Sequence, residues 1–530
     1  MENIMEQQQE NVGTIIPVNK SKRIILYNPI PKIGEKQIDI SLALLSISAK
    51  LHGEGFDIRV INHSYKDVTE QILKLSDDCL CIGMGMMTGN QIKDGLAICK
   101  KVKERNPNVP VIWGGWHPSI LPGQTLENPY IDIVTKGQAQ AIFHELVHAL
   151  YNGKPINNIQ GISFKNKEGK MIHNPQRELE PLDNFPRMPY ELIPEEKLLR
   201  NVAEMGSNRI VDYFSSQGCP YRCEFCADPD VYKRRTTLNS AERVLDDIQF
   251  LVDKYKINCV VCTDTNFFIN ERRIQDICRG LIERGIRIKW GSLNIRSDQF
   301  LRLKEETVEL MEKVHFHSFL NGAESGDQEI LDLIKKDSTV ENTINMAKRC
   351  KKYGFKVYFS FILGMPLIPT DGRTNADIVK KEFDALVNIL DEILSIEKGH
   401  MFYLSMYTPY PGSPLYQNAI KLGFKEPKNL EEWGEFTFDK INVPWIPKEY
   451  VQKVNQLEEL FLPFLTGHVY KKFDNYGILG KIVKPGAKAI GSLVEYRWKK
   501  RNFDFPIEYH ILKKGKALMR VLYPRRGYKD

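Results

Sequence analysis

Hydrophobic and polar positions alternate along two long blocks of the chain. In the first, 22–154, short apolar runs at 23–28, 56–62, 79–87, 109–114 and 132–135 end in turn residues, and most are followed by a stretch of helical spacing. Such a rhythm predicts a parallel sheet covered by helices on both faces, with ligands in the crevice at the carboxyl ends of the strands. In the second, 207–429, strands are predicted at 211–215, 259–263, 288–294, 318–322, 357–363 and 401–407, with helices at 240–254, 272–284, 340–353 and 376–394 between them. Parallel strands alternating with helices in this way collect functional residues at their carboxyl ends. The intervening segment, 155–206, holds Pro175, Pro181, Pro186, Pro189 and Pro194 and reads as a linker with a small strand pair around Gly169, because dense proline resists regular helix. Residues 1–21 read as a disordered tail, and 430–530 as a mostly helical, basic carboxyl-terminal region.

At 530 residues the chain exceeds one ordinary core, and its 42% apolar and 27% charged residues are those of a globular protein. No window approaches the roughly twenty uninterrupted apolar residues of a membrane span, and the polar start lacks the apolar core of a secretory signal. The expected location is therefore cytoplasmic, where thiols stay reduced. The net charge of +7 is unevenly placed: 466–530 carries 16 Lys and Arg against 5 Asp and Glu, so the rest of the chain is net acidic. Aromatic and aliphatic residues interleave with this charge at Tyr496, Trp498, Phe503, Phe505, Leu518, Val521, Leu522 and Tyr523. That mixture suits a solvated helical face, an anionic substrate or peripheral contact with a membrane surface. No recognition module accompanies it, so nucleic acid is not expected as a partner.

The sharpest chemistry lies in Ser216-Gln217-Gly218-Cys219-Pro220-Tyr221-Arg222-Cys223-Glu224-Phe225-Cys226, where Cys219, Cys223 and Cys226 converge from one short loop. Three thiols at this spacing wrap three corners of a metal or iron–sulfur group and leave the fourth without a local ligand. A structural zinc knuckle is the competing reading. It needs four ligands, and no Cys or His pair of suitable spacing follows within thirty residues. Cys79, Cys81, Cys99, Cys259, Cys262, Cys278 and Cys350 occupy apolar or helical contexts and are expected to be buried thiols.

This loop, with Phe225 directly before its last cysteine, resembles that of the radical SAM enzymes. The resemblance implies a partial (β/α)6 barrel of TIM type and a [4Fe-4S] cluster on Cys219, Cys223 and Cys226. S-adenosylmethionine would chelate the open iron and be cleaved to a 5'-deoxyadenosyl radical. The first block looks like the doubly wound, Rossmann-like cobalamin-binding domain that precedes the barrel in one large subfamily. Its small-residue loops, Gly83 to Gly89, Gly114-Gly115-Trp116-His117-Pro118 and Gly137-Gln138-Ala139-Gln140, put Gly85, Thr88, Gly114, Gly115, His117 and Gly137 forward as cobalamin contacts. The Asp-x-His-x-x-Gly motif is absent from 22–153, so no His of that motif is expected below the cobalt. The usual acidic Gly-Glu-Gly-Glu also appears here as Gly137-Gln138-Ala139-Gln140.

In the barrel, Glu324 resembles the carboxylate that meets the ribose hydroxyls of S-adenosylmethionine, with a helix-capping role as the alternative. Asp264, Asn266 and Arg296 follow predicted strands and are candidates for the methionine end of the cofactor or the substrate, or for purely structural work. Gly364 belongs to Gly-Met-Pro, which resembles the turn behind the adenine. Tyr407-Thr408-Pro409-Tyr410-Pro411-Gly412-Ser413-Pro414-Leu415-Tyr416 resembles a run in relatives of the anaerobic magnesium-protoporphyrin oxidative cyclase, and Tyr410 and Tyr416 are candidate substrate contacts.

The leading expectation is a cobalamin-dependent (class B) radical SAM methyltransferase acting on an unactivated carbon of a small molecule or lipid, with a reducing partner such as flavodoxin or ferredoxin. No general acid or base is expected to be catalytic. Oxidative ring formation without methyl transfer is the rival among enzymes, and a non-catalytic cobalamin or cluster sensor the rival outside them.

Overall fold

The computed structural model describes residues 20–30, 41–62, 68–166, 168–202, 206–436, 443–470, 477–504, 506–510 and 513. Residues 1–19 of the amino-terminal tail, and Phe505, Leu518, Val521, Leu522 and Tyr523 of the basic tail, lie outside them. The chain divides into one unit of Met1–Asn294, Glu305–Phe316 and Thr408–Asn442 and another of Ile295–Lys304, His317–Tyr407 and Val443–Asp530.

The first unit opens with a seven-stranded sheet: β1 (Arg23–Asn28), β2 (Asp57–Asn62), β3 (Cys81–Gly85), β4 (Val111–Gly114), β5 (Ile133–Thr135), β6 (Ile162–Lys165) and β7 (Met171–His173), in the order β2-β1-β3-β4-β5-β6-β7. β1 to β5 run parallel, whereas β6 and β7 are antiparallel additions. The order reverses beside β1, which puts the switch point and its crevice at the carboxyl ends of β1 and β3. Continuous apolar strands require cover on both sides. The core formed by Ile24, Leu26, Ile112 and Ile133 with Leu44 and Leu51 of helix Leu42–Gly53, and with Ile142, Phe143, Leu146 and Leu150 of helix Gln140–Asn152, provides it on one.

The strand pair expected inside a linker is β6 and β7, and it belongs to this sheet. The same segment also supplies β8 (Arg200–Val202), antiparallel to β9 (Ser207–Tyr213). Proline ends helices but leaves edge strands possible, so 155–206 is structured by pairing on two sheets.

The second sheet of the first unit has the order β13-β12-β9-β8, with β9, β12 (Cys259–Cys262) and β13 (Lys289–Gly291) parallel. A two-stranded ribbon, β10 (Ser216–Gln217) with β11 (Thr237–Leu238), brackets the cysteine loop. The strand expected at 288–294 is interrupted at Ser292, whose φ of +56° breaks the extended run before β14 (Leu293–Asn294). In the second unit β15 (Ser318–Glu324), β16 (Lys356–Leu363) and β17 (Met401–Met406) are parallel. Helices Val340–Lys352 and Asn375–Ile396 accompany them, the latter opened by a capping box of Thr374 and Asp377. The fold is thus α/β, with parallel strands and accompanying helices in both units. Among the described residues no helix is long and apolar enough to cross a membrane.

Candidate active site

The cysteine loop is set by the ribbon at its base. Gly218 has φ +78°, and a Cβ there would lie 2.3 Å from the Arg235 carbonyl oxygen, so the turn into Cys219 admits only glycine. The Cys226 amide donates to the Cys223 carbonyl at 3.2 Å, closing the loop before helix Asp228–Tyr232. Cys219, Cys223 and Cys226 are half-buried, whereas the other seven cysteines are buried and none forms a disulfide. Cys259 and Cys262, spaced as Cys-x-x-Cys, are core residues of β12.

Loss of solvent pushes the Cys226 thiol up to about 12, with the charges of Asp228, Cys223 and Cys219 adding to it and the Asp228 amide opposing. Such a thiol is neutral until iron displaces its proton. Three thiols on one loop, with the fourth corner left to a non-protein donor, fit a [4Fe-4S] cluster with one open iron. Directly after the loop Asp228 is fully buried, and desolvation raises its carboxyl to about 7 against the opposing Cys219 amide. Sequence reading missed Asp228, since an acid beside a cysteine motif looks like an ordinary first-turn residue.

Two further candidates of the first unit are engaged within the protein. Asp264, 1% exposed, accepts the Ser215 amide at 2.5 Å and its hydroxyl at 2.7 Å; Arg273 donates to the same hydroxyl at 2.7 Å and to the Asn239 carbonyl at 2.6 Å. Asn266 Oδ1 accepts the Phe268 amide at 3.0 Å. Asp264 thereby ties the segment after β12 to Ser215 just ahead of the cysteine loop, whereas Asn266 holds its own turn, and Ser215 and Arg273 join Asp264 in a role no linear motif announced.

At the first sheet Gly85 ends β3, Gly114 ends β4 and Gly137 follows β5. Gly115, at φ +93°, brings its backbone so close to Met86 that a Cβ would lie 2.8 Å from the Met86 carbonyl oxygen. This close approach turns the chain so that His117 enters the interior. His117 is fully buried, its Nδ1 is 3.0 Å from Thr88 Oγ1, and its Nε2 has no partner. Burial drives its pKa down to about 3, so the ring is neutral at any physiological pH. Met87, at the same strand-end edge, is 59% exposed. An apolar side chain in the open beside an unpartnered ring nitrogen and glycine-lined strand ends fits a large flat ligand such as cobalamin.

The chain returns to this edge at 408–436. An unbroken run of edge-to-face aromatic contacts leads from His117 to Trp433 at 5.6 Å, from Trp433 to Phe436 at 5.2 Å and from Phe436 to Tyr410 at 6.2 Å. The Leu415 amide donates to the Glu224 carbonyl at 3.0 Å and so ties the Tyr410 loop to the cysteine loop. Burial pushes the Tyr410 hydroxyl up to about 12. Tyr416, the other candidate from this loop, is buried and its hydroxyl donates to Glu426 at 2.8 Å. Trp433 and Phe436 sit some 300 residues from His117 in sequence, and nothing local to either end signals their meeting.

In the second unit Glu324 ends β15 at φ +64° and pairs with Lys336 at 2.7 Å, both side chains 8% exposed. A helix-capping role is not its own: the Asp327 side chain caps helix Gln328–Leu333. Arg296 is buried, pairs with Asp298 at 2.9 Å and donates to the Lys336 and Asp337 carbonyls. Gly364 is clamped: its amide donates to Glu382 Oε2 at 2.8 Å and its carbonyl accepts the Trp445 indole N–H at 2.9 Å.

Burial raises the Glu382 carboxyl to about 8, against the opposing Gly364 amide bond. A carboxyl whose folded value is raised contributes stability that is complete below its unfolded value and is lost as pH climbs through about 8. Glu382→Gln keeps an acceptor for Gly364 without titrating. Its thermal midpoint is therefore expected to gain on the parent between about pH 6 and about pH 9, and the gain is absent if Glu382 ionises freely.

The family model for the radical SAM superfamily matches residues 213–380, and that for the B12 binding domain matches residues 36–147. An uncharacterized methyltransferase, PH0819, of Pyrococcus horikoshii is 29% identical over 383 residues, 71% of this chain and 78% of that protein. The anaerobic magnesium-protoporphyrin IX monomethyl ester cyclase of Rubrivivax gelatinosus is 25% identical over 385 residues, 71% of this chain and 63% of that protein. Among solved structures, the cobalamin-dependent S-adenosylmethionine radical enzyme OxsB with aqua-cobalamin bound aligns with a TM-score of 0.67 at 18% identity, covering 98% of this chain and 77% of that one, a likeness of fold. Residues 36–147 thus form a B12-binding domain ahead of a radical SAM domain at 213–380, and the cofactors of the protein are a [4Fe-4S] cluster, S-adenosylmethionine and cobalamin.

Proposed function

We propose that the protein is a methyltransferase acting on an unactivated carbon of a small-molecule or lipid substrate. Bound cluster, S-adenosylmethionine and cobalamin supply reductive cleavage of the sulfonium and the methyl group to be transferred. The reading is carried by the aromatic run from His117 through Trp433 and Phe436 to Tyr410, which joins the B12-type sheet to the loop that resembles a substrate wall. Cys219, Cys223 and Cys226 hold the cluster, with Phe225 packed beside it. Gly85, Thr88, Gly114, Gly115, His117 and Gly137 line the cobalamin edge. Glu324 and Gly364 receive the ribose and adenine of S-adenosylmethionine. Asp264, Asn266 and Arg296 serve it by holding strand ends in position, and Tyr410 and Tyr416 shape the substrate loop. The aromatic run keeps water from the reacting groups and fixes their separation.

The test is turnover under anaerobic conditions with S-adenosylmethionine, cobalamin and reduced ferredoxin or flavodoxin, on extracts of cells lacking the gene. Methyl transfer gives a product one methyl group heavier, with 5'-deoxyadenosine and S-adenosylhomocysteine formed together. A product without added carbon sinks this reading in favour of oxidative cyclisation, which the likeness to the magnesium-protoporphyrin cyclase supports.

A lipid substrate, reached by peripheral contact with a membrane, is supported by the exposed Leu493, Tyr496 and Ile507 among Lys488, Arg497, Lys499, Lys500 and Arg501. The protein is expected to float with anionic vesicles, and replacing Lys499 and Lys500 by Ala should weaken binding about fivefold per charge, about 1 kcal/mol each near an anionic surface. Equal flotation with neutral vesicles would remove that support.

A further inference from the structure

Helix Gln140–Asn152 carries His144 and His148 one turn apart, so both rings leave the same face. Opposite them stands Glu54, the residue that closes helix Leu42–Gly53. His144 Nε2 lies 2.8 Å from Glu54 Oε1, and His148 Nε2 lies 2.7 Å from Oε2. The two rings are 4.6 Å apart at 63°, and Phe56 packs edge-on against His148 at 5.6 Å. Among the described residues this is the one trio of His, Cys, Asp or Glu whose ligand atoms all lie within 4.8 Å of one another. None of it lies in the active site described above.

We propose that Glu54, His144 and His148 form a binding site for a divalent transition-metal ion, with Zn²⁺ as its expected occupant. Two imidazoles and one carboxylate are a borderline nitrogen and oxygen set that suits Zn²⁺ and leaves further positions for water, whereas Mg²⁺ and Ca²⁺ prefer oxygen alone. The charge is favourable, since two neutral rings and one carboxylate place −1 opposite a dication. The protons also balance. Each neutral ring that donates from Nε2 to Glu54 moves that proton to Nδ1 when the metal takes Nε2, so no net proton leaves.

Position assigns the site a structural task. Leu44, near the start of helix Leu42–Gly53, faces Gly85 at the carboxyl end of β3, and Glu54 lies at the other end of that helix, about 15 Å away at 1.5 Å per residue. The ion therefore staples the two helices that share one core, on the side of the domain away from the cofactor edge.

The experiment uses full-length, cluster-loaded protein, in which the three loop thiols are already occupied by iron. Zinc uptake is measured by competition with a chromophoric chelator, with Mg²⁺ as the control cation, and the bound ion is examined by zinc X-ray absorption. One equivalent on a shell of nitrogen and oxygen without sulfur is expected. Affinity should fall at least about tenfold in His144→Ala and in His148→Ala, as loss of one ligand requires. Glu54→Gln, which preserves the hydrogen-bonding shape, provides a variant that weakens zinc without disturbing the fold. Added zinc should raise the thermal midpoint of the parent and leave that of a His144→Ala/His148→Ala variant unchanged. Equal uptake by the parent and this double variant, a sulfur shell, or no uptake at micromolar zinc overturns the proposal.

Discussion

Replacing any one of Cys219, Cys223 and Cys226 by Ala is expected to reduce 5'-deoxyadenosine formation to the level of protein without iron, while the circular dichroism of the fold is retained. All three thiols rise from a loop that the β10–β11 ribbon holds at its base and the Cys226 amide closes on the Cys223 carbonyl. With one gone, no other cysteine can substitute, because the remaining seven are buried elsewhere. Iron analysis and Mössbauer or EPR spectra of anaerobically reconstituted variants check the result. A variant that keeps an unchanged cluster and full turnover would remove the basis for the active-site assignment. The control is Cys350→Ala, whose thiol is buried in helix Val340–Lys352 and which should keep its iron.

The second large effect concerns Glu324. Its replacement by Ala leaves the Lys336 ammonium in a pocket where it is only 8% exposed, without the carboxylate at 2.7 Å. Removing one member of a buried pair costs about 3–5 kcal/mol, because the remaining charge stays desolvated. Ala inherits the positive φ of +64° at this position, so the loss measured by chemical denaturation reports the pair rather than backbone strain. The variant Glu324→Ala/Lys336→Met should recover most of that stability, since no charge is then stranded. It should not recover affinity for S-adenosylmethionine, because the carboxylate proposed to meet the ribose is still missing. Recovery of both would reduce Glu324 to a structural ion.

Much of the architecture was legible because strands that are apolar on both faces and separated by amphipathic helices have few alternatives. The runs at 23–28, 259–263 and 357–363 match β1, β12 and β16 to within a residue at each end. The strand at 288–294 was overextended, since a positive φ at Ser292 leaves no trace in a hydrophobic pattern. The 155–206 segment misled for a related reason: proline content disfavours helix but does not reveal that β6, β7 and β8 pair on neighbouring sheets. In the site, the cysteine loop and the glycine-rich turns were readable because their chemistry is local. The partners of those residues were not. Arg296, read as a fork for a cofactor carboxylate, is taken up by Asp298 and two carbonyls. Glu382 and Trp445 reach Gly364 from 18 and 81 residues away, and spacing in a single sequence carries no sign of such meetings.

Because the stretch bearing Tyr410, Trp433 and Phe436 is built into the same unit as His117 and the cysteine loop, these three parts form one packed piece rather than exchangeable modules. A hybrid made by grafting residues 20–206 onto the barrel of a relative would set that relative's return segment against a foreign histidine pocket. Its aromatic seam would be mismatched at Lys93, whose ammonium pairs with Glu435, and at Asn128, which donates to Glu431 at 2.8 Å. An exchange of 408–436 therefore keeps its packing only when the amino-terminal sheet is exchanged with it.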